Sequence, residues 1–493
     1  MREDWETVKL GEFATHEKGK KPKNQKTEQD DVFKFPYINI EAFEKGVIET
    51  YTDGEKCRFC FEDDFLMVWD GSRSGLVGKG MNGALGSTLV RINLPGIENN
   101  YAYHFLSSKY QEINTRAKGS GTPHVDPYLL WNYDFSICSL AEQRAIVEKI
   151  EELFSDLDKG VADLKKAQDQ LKVYRQAVLK KAFEGELTKE WREQQTNLPT
   201  ADELLGQIKE ERQEHYEQEL ENWKQTVKSW EENGKEGKKP SKPPKHKEVE
   251  ELTKAELEEL ASLPSNWKWI KNNELMYYVT SGSRDWKKFY SDNKGTYFVR
   301  TQDIKTNKLD LDGAAFVDLP EHVEGKRSLI EKGDLLMTIT GANVGKIAHV
   351  DFNISEAYVS QSVALMKYVL KSFSPYLHYY FQSSATGAKF IGAMVYGVGR
   401  PVLSLENMRD APVSVCSFEE QHQIVQEIES RLSVCDKVEE SIIESLEKAK
   451  ALRQSILKKA FEGRLLSNEE IKKCKAAPDY EPAAVLLEKI KNL

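Results

Sequence analysis

Between residues 139 and 187, apolar side chains return every three or four positions, at Ile146, Ile150, Leu153, Leu157, Leu164, Ala167, Leu171, Tyr174 and Val178. That period predicts one long amphipathic helix with a narrow heptad seam. The pattern comes back between 417 and 466, at Ile424, Ile428, Cys435, Val438, Ile442, Ala449, Leu452 and Ile456, and Gly185 and Gly463 stand where each helix should stop. The blocks in front of these helices change period. Runs such as FPYINI (35–40), STLVRI (87–92), TYFVRT (296–301) and DLLMTIT (334–340) read as strands between glycine-rich turns, and YAYHFLSS and PYLHYYFQSS read as aromatic helices. Residues 233–248, NGKEGKKPSKPPKHKE, are too polar and too broken by proline to pack and are expected to form a linker.

The two helical stretches are copies. SLAEQRAIVEKIEELFSDLDK from Ser139 aligns without a gap with SFEEQHQIVQEIESRLSVCDK from Ser417, and the same 278-residue offset pairs AVLKKAFEGEL (177–187) with SILKKAFEGRL (455–465). GSGTP (119–123) still matches GVGRP (397–401), and farther upstream DDFLMVWDGSRSGLVGK loosely echoes GDLLMTITGANVGK. Each half of the chain is therefore a variable block followed by a shared one. At 493 residues the chain exceeds what one hydrophobic core usually serves, which already asks for several domains.

Charge changes the picture only by its placement. The net charge of −10 argues against a uniformly nucleic-acid-binding surface. Residues 186–265, however, hold 20 acidic against 13 basic side chains, whereas 266–416 hold 18 basic against 15 acidic and 1–138 hold 17 against 21. Any surface for DNA must be local. No apolar run approaches a bilayer span, and the first residues, MREDWETVKLGEF, lack a secretory pattern, so a cytoplasmic protein is expected. Of the six cysteines only CRFC (57–60) has metal-like spacing, and without a second pair or a histidine cluster it reads as two half-buried strand cysteines.

SLAEQ and SFEEQ opening the helices, with RQAVLKKAFEGELT and RQSILKKAFEGRLL closing them, resemble the conserved regions of type I restriction–modification specificity subunits. The order of blocks matches that family across essentially the full chain, although the proline usual before each Glu-Gln is absent and the acidic linker is long. The resemblance implies a mixed α/β (α+β) protein in which two target-recognition domains are separated by two long helices forming an antiparallel coiled coil, with a pseudo-two-fold internal repeat. It places recognition domains at 1–138 and 266–416, conserved helices at 139–187 and 417–466, an acidic, charged helical linker with a Lys/Pro-rich tract at 188–265 and a docking segment at 467–493. It further implies a non-catalytic subunit that binds bipartite double-stranded DNA and positions two methyltransferase subunits and, in the full complex, restriction subunits. S-adenosylmethionine, ATP and Mg are then expected in the partners, with no cofactor or metal held by this chain. Partner and coiled-coil contacts would come from Gln143, Leu157, Leu164, Leu171 and Phe183, and from Gln421, Ile442, Leu452 and Phe461.

The residues themselves support the absence of catalysis. An Asn/Asp-Pro-Pro-aromatic motif for methylating a flipped adenine is missing; DPY (126–128) lacks one proline and reads as a turn, and GANVGK (341–346), one residue short of a phosphate loop, reads as a strand-to-strand turn. A coiled-coil scaffold without DNA specificity would leave two variable blocks idle, and a self-contained restriction–methylation enzyme needs motifs that are not there. Base edges are read by Arg, Lys, Asn, Gln, Ser and Thr, and phosphates by Lys and Arg. The candidates are Lys20, Lys21 and Lys23 for phosphates and Asn39, Arg73, Lys118, Thr122 and His124 for edges or backbone in the first block. In the second they are Arg284, Lys287 and Lys288 for phosphates, with Arg300, Gln302, Asn343, Lys346 and Arg400 nearer the bases. A helix of about 40 residues spans roughly 60 Å against about 34 Å for a DNA turn, so an antiparallel pair would hold two readers either side of an unread spacer. TADEL (200–204), echoed at 482–491 in PAAVLLEKIK, is expected to lie on a helical connection that sets the spacer.

Overall fold

The computed structural model describes residues 2–492 apart from 120, 237–238, 244, 247–248, 284, 293–294, 306, 321–322 and 324. It falls into two compact units, one formed by residues 1–166 with 441–493 and the other by 167–440. No helix among the described residues is long and apolar enough to cross a membrane.

The first unit is built on a four-stranded sheet in the order β1 (Thr15–Lys18), β4 (Leu89–Asn93), β2 (Phe65–Val68) and β3 (Val77–Lys79). Its central strand reads FLMV and is buried throughout, as a strand covered on both faces must be. A second sheet carries Phe35–Ile38 paired in parallel with Gly83–Leu85. The core gathers Tyr101, Phe105 and Phe135 around Phe461 from the end of the second long helix, with ring centroids 5.2 and 5.3 Å from Tyr101 and Phe105.

The second unit repeats this plan with β5 (Met276–Ser281), β8 (Val363–Tyr368), β6 (Leu335–Thr338) and β7 (Ile347–His349) in the same order. Phe183, from the end of the first long helix, takes the place of Phe461 and packs edge-on to Tyr376 and Tyr380, with centroids at 5.3 and 5.2 Å. The expected turn at 341–346 is the β6–β7 connection. At 126–128 the expectation of a turn fails: Asp126 accepts from the Tyr128 amide and caps a short helix, Pro127–Trp131, with proline in the first turn where it needs no donor. Of the CRFC pair, Cys60 is buried in a short strand and Cys57 is half-buried beside it.

Both long helices have 44 residues, Leu140–Phe183 and Phe418–Phe461, and each ends directly before Glu-Gly, with Gly185 and Gly463 in the left-handed region. In the first unit the start of the first helix meets the end of the second. Arg453 lies 4.2 Å over the Phe154 ring and pairs with Asp158. In the second unit the roles reverse, and Arg175 pairs with Asp436 and Glu439 at 2.7 and 2.9 Å. The contacts run in opposite order along the two helices, as in an antiparallel pair. The buried or half-buried positions step by four and three through 143, 147, 150, 154, 157, 161 and 164, and through 442, 446, 449, 453, 456 and 460. Tyr174 and Leu452, expected in the seam, are instead 45% and 51% exposed, because the adjacent arginines Arg175 and Arg453 occupy it and carry their charge out to a carboxylate.

Within that seam Ile442 is buried and Leu157 half-buried. Ile442→Asp is therefore expected to destabilise its unit by at least about 3 kcal/mol through a lost apolar contact and an unpaired buried charge. Leu157→Asp should cost clearly less, since its carboxylate can reach water. Denaturant unfolding followed by helical circular dichroism measures both; equal effects, or none, would reject this seam assignment.

Within 188–265 a helical stretch packs into the second unit. Thr200 and Glu203 form a capping box that starts a new helix, Ala201–Glu232, and Leu204, Leu205 and Ile208 enter the second unit's core. TADEL is thus a pinned helix start rather than part of a continuous helical connection. The echoing segment behaves alike: Leu486 and Ile490 of the helix Ala483–Lys491 join the first unit's core. Two described residues of the Lys/Pro tract also make contacts: the Trp223 indole donates to the Pro240 carbonyl at 3.0 Å, and His246 Nε2 lies 3.3 Å from Asn273 Nδ2.

Candidate nucleic-acid interface

In the first unit Leu89 pairs with Val68 and Val90 with Lys18, so β1 and β2 end, and β4 begins, at one end of the sheet. Three segments leave from that end. The first is Gly19–Lys23, held by Gly19 and Lys20 amides donating to the Leu89 and Leu85 carbonyls. It carries Lys20, Lys21 and Lys23, all exposed. The second is the 70–75 turn with Arg73. The third is a hairpin closed by mutual amide–carbonyl bonds between Lys118 and His124, at 2.9 and 2.8 Å. This hairpin sits on the turn through Gly71 N–H to the Pro123 carbonyl at 2.7 Å and Val125 N–H to Trp69 at 3.0 Å.

The second unit builds the same end from different residues. Val363 pairs with Thr338 and Ala364 with Ser281. A hairpin closed between Tyr396 and Val402, at 3.0 and 2.8 Å, sits on the 341–345 turn through Gly341 N–H to Pro401 at 2.9 Å and Leu403 N–H to Ile339 at 3.0 Å. Glycine is required at the first hairpin corner in both units. Gly119 and Gly397 have φ of 105° and 92°, and an added Cβ would lie 2.6 and 2.7 Å from the Thr122 and Arg400 carbonyl oxygens.

The structure thus gathers Lys20, Lys21, Lys23, Arg73, Lys118, Thr122 and His124 at one sheet end, and Asn343, Lys346 and Arg400 at the matching end of the other unit. Lys287 and Lys288 follow the end of β5 within the short turn Asp285–Phe289, which buries Trp286. Arg284 lies outside the described residues. Two candidates are tied into their own domain at equivalent strand ends. Asn39 caps the helix Ile40–Lys45 by accepting from the Ala42 amide, and Arg300 pairs with Asp303 and donates to the Gly313 carbonyl at 3.2 Å. Gln302 is exposed beside Arg300. Arg73 pairs with Glu44, and Lys118 pairs with Asp126 at 2.8 Å, holding that carboxyl below its ordinary range. The two cations are exposed, while their carboxylate partners are only 10% and 15% exposed. Residue type alone missed Tyr128, the hairpin-closing Tyr396 and the hairpin residue Val398, all strongly exposed, because aromatic and aliphatic side chains in a sequence read as core.

Of the helix residues, Gln143 and Gln421 are buried and each donates to a preceding carbonyl, Cys138 or Cys416, at 2.8 Å. They fasten the helix starts to the recognition blocks. Phe183 and Phe461 are core residues, while Leu164 and Leu171 are half-buried.

The profile of the type I restriction modification DNA specificity domain matches residues 2–166 and 264–448. The EcoBI type I restriction enzyme specificity subunit of Escherichia coli is 26% identical over 92% of this chain and 85% of its own length. The EcoDI specificity subunit of the same species is 25% identical over 99% and 95%. A solved chain from work on assembly and conformational transition of the type I R-M system shares the fold, with a TM-score of 0.63 and 17% identity over 94% of this chain and 98% of that one. Two matched domains, each ending in a copy of the same helix and each presenting the same turn and hairpin, place the chain in the family of type I restriction–modification specificity subunits.

Proposed function

We propose that each unit reads one half of a bipartite duplex DNA target through its turn and hairpin, 70–75 with 118–124 in one and 341–345 with 396–402 in the other. The observation that carries this reading is the repetition of one backbone frame with different side chains: Arg73 stands where Asn343 stands, and Thr122 where Arg400 stands. A rigid frame with exchangeable tips is what direct readout requires. Lys20, Lys21 and Lys23, and in the other unit Lys287 and Lys288, would hold phosphates and set register.

The chain itself would transfer no methyl group. It would position two methyltransferase subunits, and restriction subunits in the full complex, with S-adenosylmethionine, ATP and Mg bound by those partners in the cytoplasm. Incubation with DNA and labelled S-adenosylmethionine should show no turnover for the chain alone and turnover after the methyltransferase subunit is added. Turnover without the partner would reject the non-catalytic reading, and modified sites lacking two separated specific half-sites would reject the bipartite one.

A further inference from the structure

The unit formed by residues 167–440 has a second basic surface apart from its recognition loops. A groove of about 730 Å³ runs along the edge strand β5, walled by the 201–232 helix on one side and by Lys326, Arg327 and the short helix Leu405–Asp410 on the other. Four cations line it, Arg212, Lys326, Arg327 and Arg409, against one carboxylate, Glu219. Lys326, Arg327 and Arg409 have no carboxylate partner among the described residues; the arginines make only long bonds, to the Ser281 and Val279 carbonyls at 3.4 and 3.5 Å.

We propose that this groove grips the sugar-phosphate backbone of duplex DNA flanking the half-site read by the second unit. The inference rests on the reading of the loops given above and adds a contact outside them. The β5 strand ends at Ser281, at the sheet end from which the 341–345 turn leaves, so the groove starts beside the recognition loops and leads away from them. An extended acidic peptide fits less well. It would add to the open edge of β5, but the carbonyls it needs there are already approached by Arg327 and Arg409. Each guanidinium keeps further N–H donors suited to phosphate oxygens. The exposed Tyr278 brings a hydroxyl donor to the groove, and Tyr277 is braced by the His215 ring at 4.2 Å. The outer face of the 201–232 helix is acidic, with Glu210, Glu211, Glu214 and Glu217 exposed, which would confine the backbone to the groove side.

The test uses the assembled complex with its methyltransferase subunits and two duplexes carrying its own methylated sequence. One extends beyond the second half-site by about a helical turn; the other stops at that half-site. Arg327→Gln with Arg409→Gln should lower the salt slope of binding by about two on the long duplex, one per lost phosphate contact. Binding to matched and scrambled half-sites should weaken alike, the methylated sequence should stay the same, and wild type and variant should bind the short duplex equally. Lys326→Gln, expected to lower the slope by about one, is the second variant, and unfolding curves check that each is intact. An unchanged slope on the long duplex, an equal loss on both duplexes, or lost subunit assembly with DNA binding intact would each overturn the proposal. Failure of the wild-type complex to prefer its own sequence over a scrambled one would instead count against the loop reading.

Discussion

Glu420→Ala is expected to destabilise the unit formed by residues 167–440 by about 3–5 kcal/mol, the range for removing one partner of a buried ion pair. The Glu420 carboxylate is fully buried one turn into the second long helix. It pairs with Arg192 and accepts from Thr188 Oγ1 and Trp267 Nε1, each at 2.9 Å. Those donors come from the segment after the first long helix and from the entry to the second recognition block, so one carboxylate ties three parts of the chain together. Without it, the largely buried Arg192 guanidinium and the Trp267 indole lose their acceptor together. Among the described residues the equivalent Glu142 has only Arg2, at 2.6 Å, and Ser139, at 3.3 Å, and the Trp5 indole nitrogen has no partner. Glu142→Ala should therefore cost less. Denaturant unfolding with a probe in each unit compares the two, because a chain of two units need not unfold in one step. A smaller effect at Glu420 than at Glu142 would contradict the assignment.

Exchange of residues 1–138 for the corresponding block of a relative is expected to replace one half-site completely and leave the other unchanged. The block contains the whole first frame, both the 70–75 turn and the 118–124 hairpin. With each altered base pair costing about 1–3 kcal/mol, three changed pairs would reduce recognition of the old half-site by roughly a hundredfold or more. The junction sets a condition on the donor. Gln143 accepts from the Glu98 amide at 2.8 Å, Ser136 Oγ donates to the Phe461 carbonyl at 3.1 Å, and Tyr101 and Phe105 pack on Phe461. A donor block must supply an aromatic pair and a helix start equivalent to these. Sequencing of modified bases reads both half-sites, and a change in both would reject independent readers.

Much of this was legible in the sequence wherever a feature is periodic or repeated. The two long helices, their glycine stops, the strands at 35–38, 89–93, 296–299 and 335–338 and the likeness of 119–123 to 397–401 all follow from spacing or from the 278-residue repeat. The seam shows the limit. Hydropathy selects Tyr174 and Leu452, but the inward positions belong to Arg175 and Arg453, whose carboxylate partners lie 261 and 295 residues away along the chain. Asn39 and Arg300 show the same limit at the candidate interface: the residue types suit base readout, yet their side chains are engaged by a helix start and a nearby carboxylate.

The sequence by itself determined the local geometry, because helix period, strand alternation, capping boxes and left-handed glycines depend on residues within a few positions of one another. It also determined that there are two readers, since a repeat is visible without coordinates. Only the tertiary structure decided that 201–208 belongs to a core and that Pro240 lies against Trp223 of the 201–232 helix. The same holds for the four cations brought from three separate segments to the edge of β5. Those outcomes depend on burial and on charge pairing between distant residues, where the cost of leaving a polar group unpaired is settled by neighbours that no local pattern reveals.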